Sequence, residues 1–405
     1  MSWEYKTLDE LGTISRGKSK HRPRNDASLF GGKYPFVQTA DVKSANLYLT
    51  EYESTYNDKG LSQSKLWKAG TLCITIAANI ADTAILGIDA CFPDSIMGFQ
   101  PYEGVSNVKF IKYAFDMLQR DCKQISQGAA QDNLSWNKLS TIKFPAPDII
   151  TQNKIVDVLS AYDDLIENNK KQIKLLEEAA QRLYKEWFVD LRFPGYEESS
   201  FIEGLPEGWT NVQLDDVLEK ITTGLNPRKN FVLGNGRNYY VTIKNMRDNN
   251  VYLDNKCDKV DDEAIEKINK RSNLEIGDIL FSGIGTMGRV YLVCIPTDNW
   301  NVSESVFTLR ANKKISKELL YLLLLSDDMQ NYCDLNAHGA AQRGIRMADL
   351  KAYRFNLPTK ELIDRFTSLV TPFINRVQKL RHENLLLQES RDRLLPQLMS
   401  GEIEV

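Results

Sequence analysis

The chain has 405 residues, of which 42% are hydrophobic and 26% charged, as is typical of a globular protein with two or three domains. No apolar run approaches the roughly 20 residues that span a bilayer, and the start MSWEYKTLDEL lacks a signal-peptide pattern, so we expect a cytoplasmic protein that does not contact a membrane. Six scattered cysteines and three histidines argue against a metal site or a histidine-based catalyst. A net charge of −3 does not exclude a DNA binder, because local clustering of basic residues decides the field.

Short runs of β-branched and aromatic residues alternate with turns and a few helices along both halves of the chain. The pattern predicts strands at residues 37–39, 72–76, 239–243, 279–281 and 290–293. It predicts helices at residues 108–121 and 317–333. The fold class is therefore mixed, α/β in composition and α+β in arrangement.

The second half of the chain repeats the first at an offset of about 205 to 211 residues. ISRG at 14–17 is echoed by ITTG at 221–224, and KAGTLCI at 68–74 by EIGDILF at 275–281. The tetrapeptide GAAQ occurs at 128–131 and again at 339–342. A period this long describes two copies of a module, each a globular domain of about 150 residues followed by a helix of about 40.

Two long segments carry apolar residues at the alternating three- and four-residue spacing of a coiled coil. The first runs from Ile155 to Trp187 and the second from Ile363 to Leu398. Each covers about five heptads, which corresponds to a helix roughly 50–60 Å long. We predict that the two helices pair antiparallel and separate the two globular domains, which relates the modules by a pseudo-twofold axis.

In one antiparallel register, the numbers of the two residues that face each other always sum to 553. This register places the single asparagine of the first apolar stripe opposite the single asparagine of the second. Asn169 then faces Asn384, and because a buried asparagine is unfavourable unless paired, this register is favoured over its slips. The alternative is that each asparagine lies near solvent. Arg391 faces Tyr162 in this register, and its guanidinium is expected to extend outward while its stem packs.

An antiparallel rod with a globular domain at each end suits a protein that reads two DNA half-sites a fixed distance apart. Both domains belong to one chain and differ in sequence, so the two half-sites should differ as well. The ring side chains at the end of the first helix and in the following segment, Trp187, Phe188 and Phe193, are interpreted as core packing in preference to partner contact.

Several segments resemble the specificity subunits of Type I restriction–modification systems, the HsdS family. They are EWFVDLRFPGYEE at 186–198, LPEGW at 205–209, GDILFSGIGTMGRV at 277–290, SESVFTL at 303–309 and RDRLLPQLMSGEIEV at 391–405. The resemblance covers essentially the whole chain in the right order. The first domain departs from the pattern, because ITIAANIADTAIL at 74–86 replaces the glycine-rich turn at 283–288.

The resemblance implies a sequence of parts along the chain. These are target-recognition domain 1 (1–150), spacer helix 1 or central conserved region (151–190), a hinge (191–208), target-recognition domain 2 (209–358), spacer helix 2 or distal conserved region (359–400) and a tail (401–405). The subunit itself is expected to be non-catalytic and to hold no cofactor.

The same resemblance implies the partners of the subunit. They are double-stranded DNA, two methyltransferase subunits that use S-adenosylmethionine, and restriction–translocase subunits that use ATP and Mg²⁺. The assembled complex would be an adenine-N6 DNA methyltransferase and an ATP-dependent Type I endonuclease.

Basic and amide-rich loops lie at matching positions of the two halves, and such side chains contact phosphates and base edges. In the first half the candidate DNA-binding residues are Arg16, Lys18, Lys20, Arg22, Arg24, Gln38, Thr39, Asp41, Gln127, Gln131 and Asn133. In the second half they are Thr222, Asn226, Arg228, Lys229, Thr242, Lys244, Asn245, Arg247, Arg289, His338, Gln342, Arg343 and Arg346. The alternatives are solvated surface loops, half-buried strand ends and turns that only cap the next helix.

Gly283, Gly285 and Gly288 spell the G-x-G-x-x-G of a nucleotide-binding loop, but such a loop needs a helix after the glycines. The following RVYLVC is typical of a strand, so we predict a tight strand–turn–strand. The catalytic N/D-P-P-Y/F tetrad of amino-methylating enzymes is missing, since Pro-Pro does not occur. Two alternatives to a DNA-reading subunit stay open: a standalone methyltransferase with fused recognition domains, and a coiled-coil adaptor without a DNA role.

Overall fold

The computed structural model describes residues 3–76, 82–125, 139–202, 204–339 and 343–405, without the side chains of 120–125. Its contacts divide the chain into two compact units. The first unit comprises Met1–Asn168 and Asn384–Val405, and the second comprises Asn169–Glu383. Each unit thus contains one globular domain and one part of each of two long helices.

The first unit contains two small sheets and a strand pair. The five-stranded sheet has the order Gly12–Arg16, Ile96–Pro101, Leu72–Thr75, Thr83–Leu86 and Tyr48–Leu49, with only the last pairing parallel. The four-stranded sheet has the order Ser54–Tyr56, Phe30–Phe36, Ala90–Cys91 and Leu66–Trp67, and Glu4–Lys6 pairs with Phe144–Ala146. The helices are Leu8–Leu11, Thr39–Ser44, Asp58–Ser62 and Val108–Ile125, with a 3-10 turn at Ala27–Leu29.

The second unit has a four-stranded antiparallel sheet in the order Leu218–Thr223, Val306–Ala311, Ile279–Ser282 and Val290–Leu292. Its three-stranded sheet has the order Asp258–Val260, Asn238–Val241 and Trp300–Val302. Strand pairs join Thr210–Gln213 to Arg354–Leu357, Met246–Arg247 to Asn250–Val251 and Phe201–Ile202 to Leu205–Pro206. The α-helices are Asp262–Ser272, Lys317–Leu325, Asp327–Leu335 and Met347–Lys351. The 3-10 turns are Tyr196–Glu198, Leu214–Val217, Pro227–Lys229 and Ile243–Asn245.

The two globular domains repeat one another strand by strand, which confirms the internal repeat. The first four strands of the five-stranded sheet follow the same order as the four strands of the second unit's main sheet. Phe30–Phe36 and Asn238–Val241 also correspond, since each has one antiparallel and one parallel neighbour. Two different sequences therefore build the same framework.

Most of the predicted elements are confirmed, and one is wrong. The predicted strand at 37–39 is absent: the strand Phe30–Phe36 ends before it, and a helix begins at Thr39. The predicted helix at 317–333 is interrupted at Ser326, whose hydroxyl accepts from the Met329 amide and so caps a second helix. Capping side chains, which compete with regular backbone bonding, decide both differences.

Each domain packs on the long helices through an apolar core. In the first unit Phe110 and Phe115 of the helix Val108–Ile125 share a buried cluster with Ile155 and Leu398 of the long helices. In the second unit the helix Lys317–Leu325 is buried on nearly all sides, in a cluster that contains Phe366. A helix buried all round is expected to be apolar on all faces, as LLYLLLL is.

The long helices are Ile149–Tyr184, which continues in a π-helical turn at Lys185–Val189, and Lys360–Met399. In the second unit Gln172 meets Arg376 and Trp187 packs on Phe366, with ring centroids 5.5 Å apart. From the first of these contacts to the second, the residue number rises on the first helix and falls on the second, so the two segments pair antiparallel. The Trp187–Phe366 contact fits the predicted sum of 553.

In the first unit the same antiparallel course is evident, but the predicted position of Arg391 is wrong. Its guanidinium forms an ion pair with Asp163, which is almost fully buried, instead of extending outward. A buried carboxylate without a partner is costly, and this requirement overrides the preference of the arginine for water. Asn169 and Asn384 are 2% and 8% exposed, which counts against a position near solvent. Their pairing with each other stays a prediction.

The ring side chains after the first helix form core, as predicted. Trp187 and Phe193 are buried, and Phe188 packs on Phe366 with a centroid distance of 4.7 Å. Phe193 also packs on Trp209, at 5.6 Å, so the segment after the helix is fastened to the start of the second domain. Within the described residues, no helix combines the length and the apolar character needed to cross a membrane.

Candidate nucleic-acid interface

In the second unit Glu304 holds the loop that follows the strand Leu218–Thr223. Asn226 donates from Nδ2 to Glu304 Oε1 over 2.7 Å, and Asn226 Oδ1 accepts from the Arg228 amide. The second contact opens the 3-10 turn Pro227–Lys229. Arg228 and Lys229 are exposed, and neither side chain has a partner among the described residues. Asn226 therefore shapes the loop, and the two cations are available for a ligand.

The glycine-rich turn at 283–288 meets the loop that follows the second GAAQ. It joins two antiparallel strands, with Gly285 and Gly288 at φ of +82° and +85°, so the predicted strand–turn–strand is confirmed. The Gly285 amide donates to the Arg343 carbonyl over 2.8 Å, and the Ile345 amide donates to the Gly283 carbonyl over 2.9 Å. Two segments about 60 residues apart thus form one surface.

The segment 242–247 adjoins this surface through Arg289. The Arg289 guanidinium donates to the carbonyls of Ile243, over 3.0 Å, and Met246. Asn245 is buried, and its side-chain oxygen accepts from the Thr242 amide over 2.9 Å. Arg289, Asn245 and Thr242 are therefore used within the protein, although the sequence predicts them as DNA contacts.

Four predicted residues of the second unit present charge on this surface. Lys244 and Arg346 are exposed, with no side-chain partner in the part of the chain that the structure describes. Arg343 donates to the Asp334 carbonyl over 2.8 Å, and Arg247 lies over the Tyr252 ring and 3.6 Å from Asp254. Lys244 and Arg346 are consequently the most available of the four to contact DNA.

Two further predicted residues make contacts within the protein. His338 Nε2 lies 3.1 Å from Asp349 Oδ2, an ion-pair geometry if the ring is protonated. Thr222 is half-buried and makes only long contacts with backbone carbonyls. Gln342 lies outside the described residues.

The first unit builds its basic loop around Asp94, which occupies the place that Glu304 has in the repeat. Arg24 Nη2 lies 2.5 Å from Asp94 Oδ1, and Arg22 lies 3.9 Å from the other carboxylate oxygen. Arg22 also donates to the carbonyls of Ser19 and His21. The two arginines are partly neutralised and ordered by this carboxylate.

Asp26 fixes the rest of this loop. It accepts from the Ser28 amide over 2.9 Å and lies 2.7 Å from His21 Nε2. These hydrogen bonds, first the Ser28 amide, then the Ser28 hydroxyl and then His21, lower the pKa of Asp26 to about 2. Asp26 therefore stays ionised and keeps the loop shaped throughout the neutral range.

The remaining cations of the first loop are not used internally. Arg16 and Lys20 are exposed and Lys18 is half-buried. None of the three side chains has a partner among the residues described. They are the first-unit counterparts of Arg228 and Lys229.

The segment after Phe36 adopts the same cap as its repeat partner. The Gln38 amide donates to Asp41 Oδ2 over 2.7 Å, at the start of the helix Thr39–Ser44. The Thr242–Asn245 contact occupies the equivalent place in the second unit. Gln38 is exposed and Thr39 half-buried, while Asp41 is engaged in the cap. Gln127, Gln131 and Asn133 lie outside the described residues.

Sequence reasoning missed the two carboxylates at the centre of these surfaces. Asp94 lies in FPDS at 92–95 and Glu304 in VSES at 302–305, an offset of 210 within the repeat. Aligning the two halves through this short turn would have found them. An acidic residue attracts little notice in a search for DNA contacts, because it repels phosphate.

A sequence profile of the Type I restriction modification DNA specificity domain matches the chain twice, over residues 1–178 and 206–383. The two matches cover most of the chain and coincide with its two repeats. The chain belongs to this family.

Individual relatives agree with the family. The MjaIX specificity subunit of Methanocaldococcus jannaschii is 24% identical over 418 residues, which cover 100% of this chain and 94% of the relative. The HindI specificity subunit of Haemophilus influenzae is 24% identical over 468 residues, covering 97% and 98%. A Type I S subunit from M. genitalium has the same fold, with a TM-score of 0.56 at 15% identity over 98% of this chain and 96% of that one. The chain is a DNA sequence-specificity subunit of a Type I restriction–modification system.

Proposed function

We propose that this specificity subunit binds a bipartite, asymmetric DNA site, with one globular domain on each half-site. The proposal rests on one observation: the two globular domains share a framework, but different side chains surround the carboxylate at the centre of each surface. Asp94 holds two arginines in the first unit, whereas Glu304 holds an amide and a phenol, Asn226 and Tyr240, in the second. Equivalent surfaces with different donors are suited to different base sequences.

Affinity and specificity would come from different members of these surfaces. Exposed cations such as Arg16, Lys20, Lys229 and Lys244 are suited to phosphates, which supply most of the salt-dependent affinity. Arg343 and Arg346 in the second unit and the amide of Gln38 in the first are suited to base edges in the major groove. The paired helices would hold the two surfaces at the distance of an unread spacer.

Catalysis and cofactors would belong to partner subunits. The glycine-rich turn at 283–288 leads into the strand Val290–Leu292, so it lacks the helix terminus that binds a nucleotide phosphate. Two methyltransferase subunits would bring S-adenosylmethionine for adenine-N6 methylation, and restriction–translocase subunits would bring ATP and Mg²⁺. The helix pair would carry the methyltransferase subunits, and the complex would act on DNA in the cytoplasm.

A reconstitution experiment tests whether methyl transfer depends on a partner subunit and not on this chain alone. The purified chain is mixed with DNA and radiolabelled S-adenosylmethionine, with and without its partner methyltransferase subunit. We expect methyl transfer only when the methyltransferase subunit is present, and none from that subunit without this chain. Robust transfer by this chain alone would contradict the proposal and favour a standalone methyltransferase.

A further inference from the structure

Arg381 on the second long helix joins three parts of the second unit. Its side chain is 11% exposed and donates from Nη2 to Glu177 Oε1, on the first long helix, over 2.6 Å. It also donates to the backbone carbonyls of Asp248 over 2.7 Å and Asn249 over 2.8 Å. One guanidinium thus links both helices to a turn of the globular domain.

The turn that Arg381 holds lies beside the candidate DNA-binding residues. Asp248 and Asn249 have φ of +50° and +49°, and they close the hairpin of Met246–Arg247 with Asn250–Val251. The first strand of this hairpin contains Arg247, and it directly follows the 3-10 turn that contains Lys244. A shift of this turn on the helices would move both cations.

Apolar packing alone does not fix the domain on the helices at this place. A cavity of about 250 Å³ lies between them, and Tyr291, Leu322, Phe373 and Val377 are among the residues that line it. The cavity is partly open to solvent, so the elements that face each other across it lack the close-packed contacts that fix neighbouring elements in a protein interior. The directed hydrogen bonds of Arg381, which also lines the cavity, are therefore well placed to define the domain's orientation.

The ion pair contributes geometry more than stability. Burial raises the pKa of the Glu177 carboxyl above its ordinary value, although the charge of Arg381 lowers it. The cost of removing the carboxylate from water thus outweighs the attraction of its partner. Buried ion pairs add little to the free energy of folding, and their best-attested use is to specify one arrangement over others.

The first unit contains a matching link on the same helix. Arg391 forms an ion pair with Asp163 of the first long helix, and Asp163 Oδ2 accepts from the Tyr113 hydroxyl over 2.6 Å. Tyr113 belongs to the helix Val108–Ile125 of the globular domain. In each unit the second helix supplies an arginine, the first helix a carboxylate, and the domain the third partner.

We propose that Arg381 and Arg391 are positioning residues that set how each globular domain docks on the paired helices, and thereby which spacer length between the half-sites is accepted. The inference rests on the proposed function, because it assumes a split site. It assigns spacer choice to two side chains that belong to neither candidate DNA-binding surface.

Arg381→Lys tests the proposal in the complete complex. Lysine keeps the charge beside Glu177 but lacks the planar fork that reaches several acceptors at once. Methylation is measured in a host that carries the chain with its partner methyltransferase, on sites with the native spacer and with one base pair more or fewer. We expect unchanged half-site sequences and roughly tenfold weaker discrimination against the wrong spacers, the effect of about one lost hydrogen bond.

Arg376→Lys is the matched control. Arg376 lies on the same helix, is exposed, and its guanidinium contacts Gln172 of the first helix at 3.5 Å. This variant should keep native spacer discrimination.

Arg391→Lys tests the claim independently in the first unit. If both Arg381→Lys and Arg391→Lys kept the native spacer choice, or lost methylation equally at every spacer, the inference would be overturned. Absence of any split motif with the native chain would instead refute the proposed function.

Discussion

Single carboxylates organise the two candidate DNA-binding surfaces. Asp94 and Glu304 lie on equivalent turns, where each orients neighbouring donors. A carboxylate that faced DNA alone would repel the phosphates, whereas one that holds arginine or asparagine turns their remaining donors toward a ligand. The partners of these two side chains differ between the domains, and this difference supports two unlike half-sites.

Arg346 provides the simplest test of a phosphate or base contact. Its side chain is exposed and has no partner in the described part, so removing it should not disturb the fold. We expect Arg346→Gln to weaken DNA binding by the assembled complex. A phosphate contact would also lower the slope of log affinity against log salt by about 1. The measurement is a titration of site-containing and unrelated DNA at several salt concentrations.

Arg354→Gln is the control for that titration. Arg354 is an exposed arginine of the same domain, on the strand Arg354–Leu357, and donates to Asn211 Oδ1 over 2.8 Å. The Arg354→Gln variant should leave the slope of log affinity against log salt unchanged. If Arg346→Gln also left affinity, slope and site choice unchanged, the loop at 343–346 would not contact DNA.

At the scale of elements, the long helices combine a local pattern with long-range links. Apolar spacing predicted where each helix lies in the sequence, because periodicity is a property of consecutive residues. The asparagine in each apolar stripe favoured the antiparallel register. It did not predict that Arg391 pairs with Asp163 or that Arg381 holds the turn at Asp248. Those contacts join residues that are more than 130 positions apart, and no local pattern encodes them.

Shortening both helices together tests whether they act as a ruler. Removing residues 164–170 and 383–389 deletes one heptad from each side of the predicted register and leaves Arg381 and Arg391 in place. The rod should shorten by about 10 Å, which corresponds to roughly 3 bp at 3.4 Å per step. We expect methylated sites with a spacer shorter by that amount. Deleting only one of the two segments should abolish methylation, and an unchanged spacer after both deletions would show that the helices are no ruler.

For the whole molecule, the sequence predicted the arrangement of parts better than the use of each side chain. The repeat was visible because ISRG and ITTG, or the two GAAQ segments, recur at matching positions. The roles of Asn245, Asp41 and Arg289 were not. Asn245 and Asp41 each accept from a backbone amide three residues earlier, and residue type alone does not distinguish such a cap from a DNA contact. Arg289 donates to backbone carbonyls that only the folded chain brings close. Lys244 is exposed and has no side-chain partner among the described residues, so its contact with DNA stays a prediction.

The central claim is that two unlike domains on one chain read two unlike half-sites. Its most direct test is methylome sequencing of a host that carries this chain with its partner methyltransferase subunit. We expect one adenine-methylated motif made of two different short sequences separated by a spacer of fixed length. A continuous motif, two identical halves or methylation without sequence preference would contradict it.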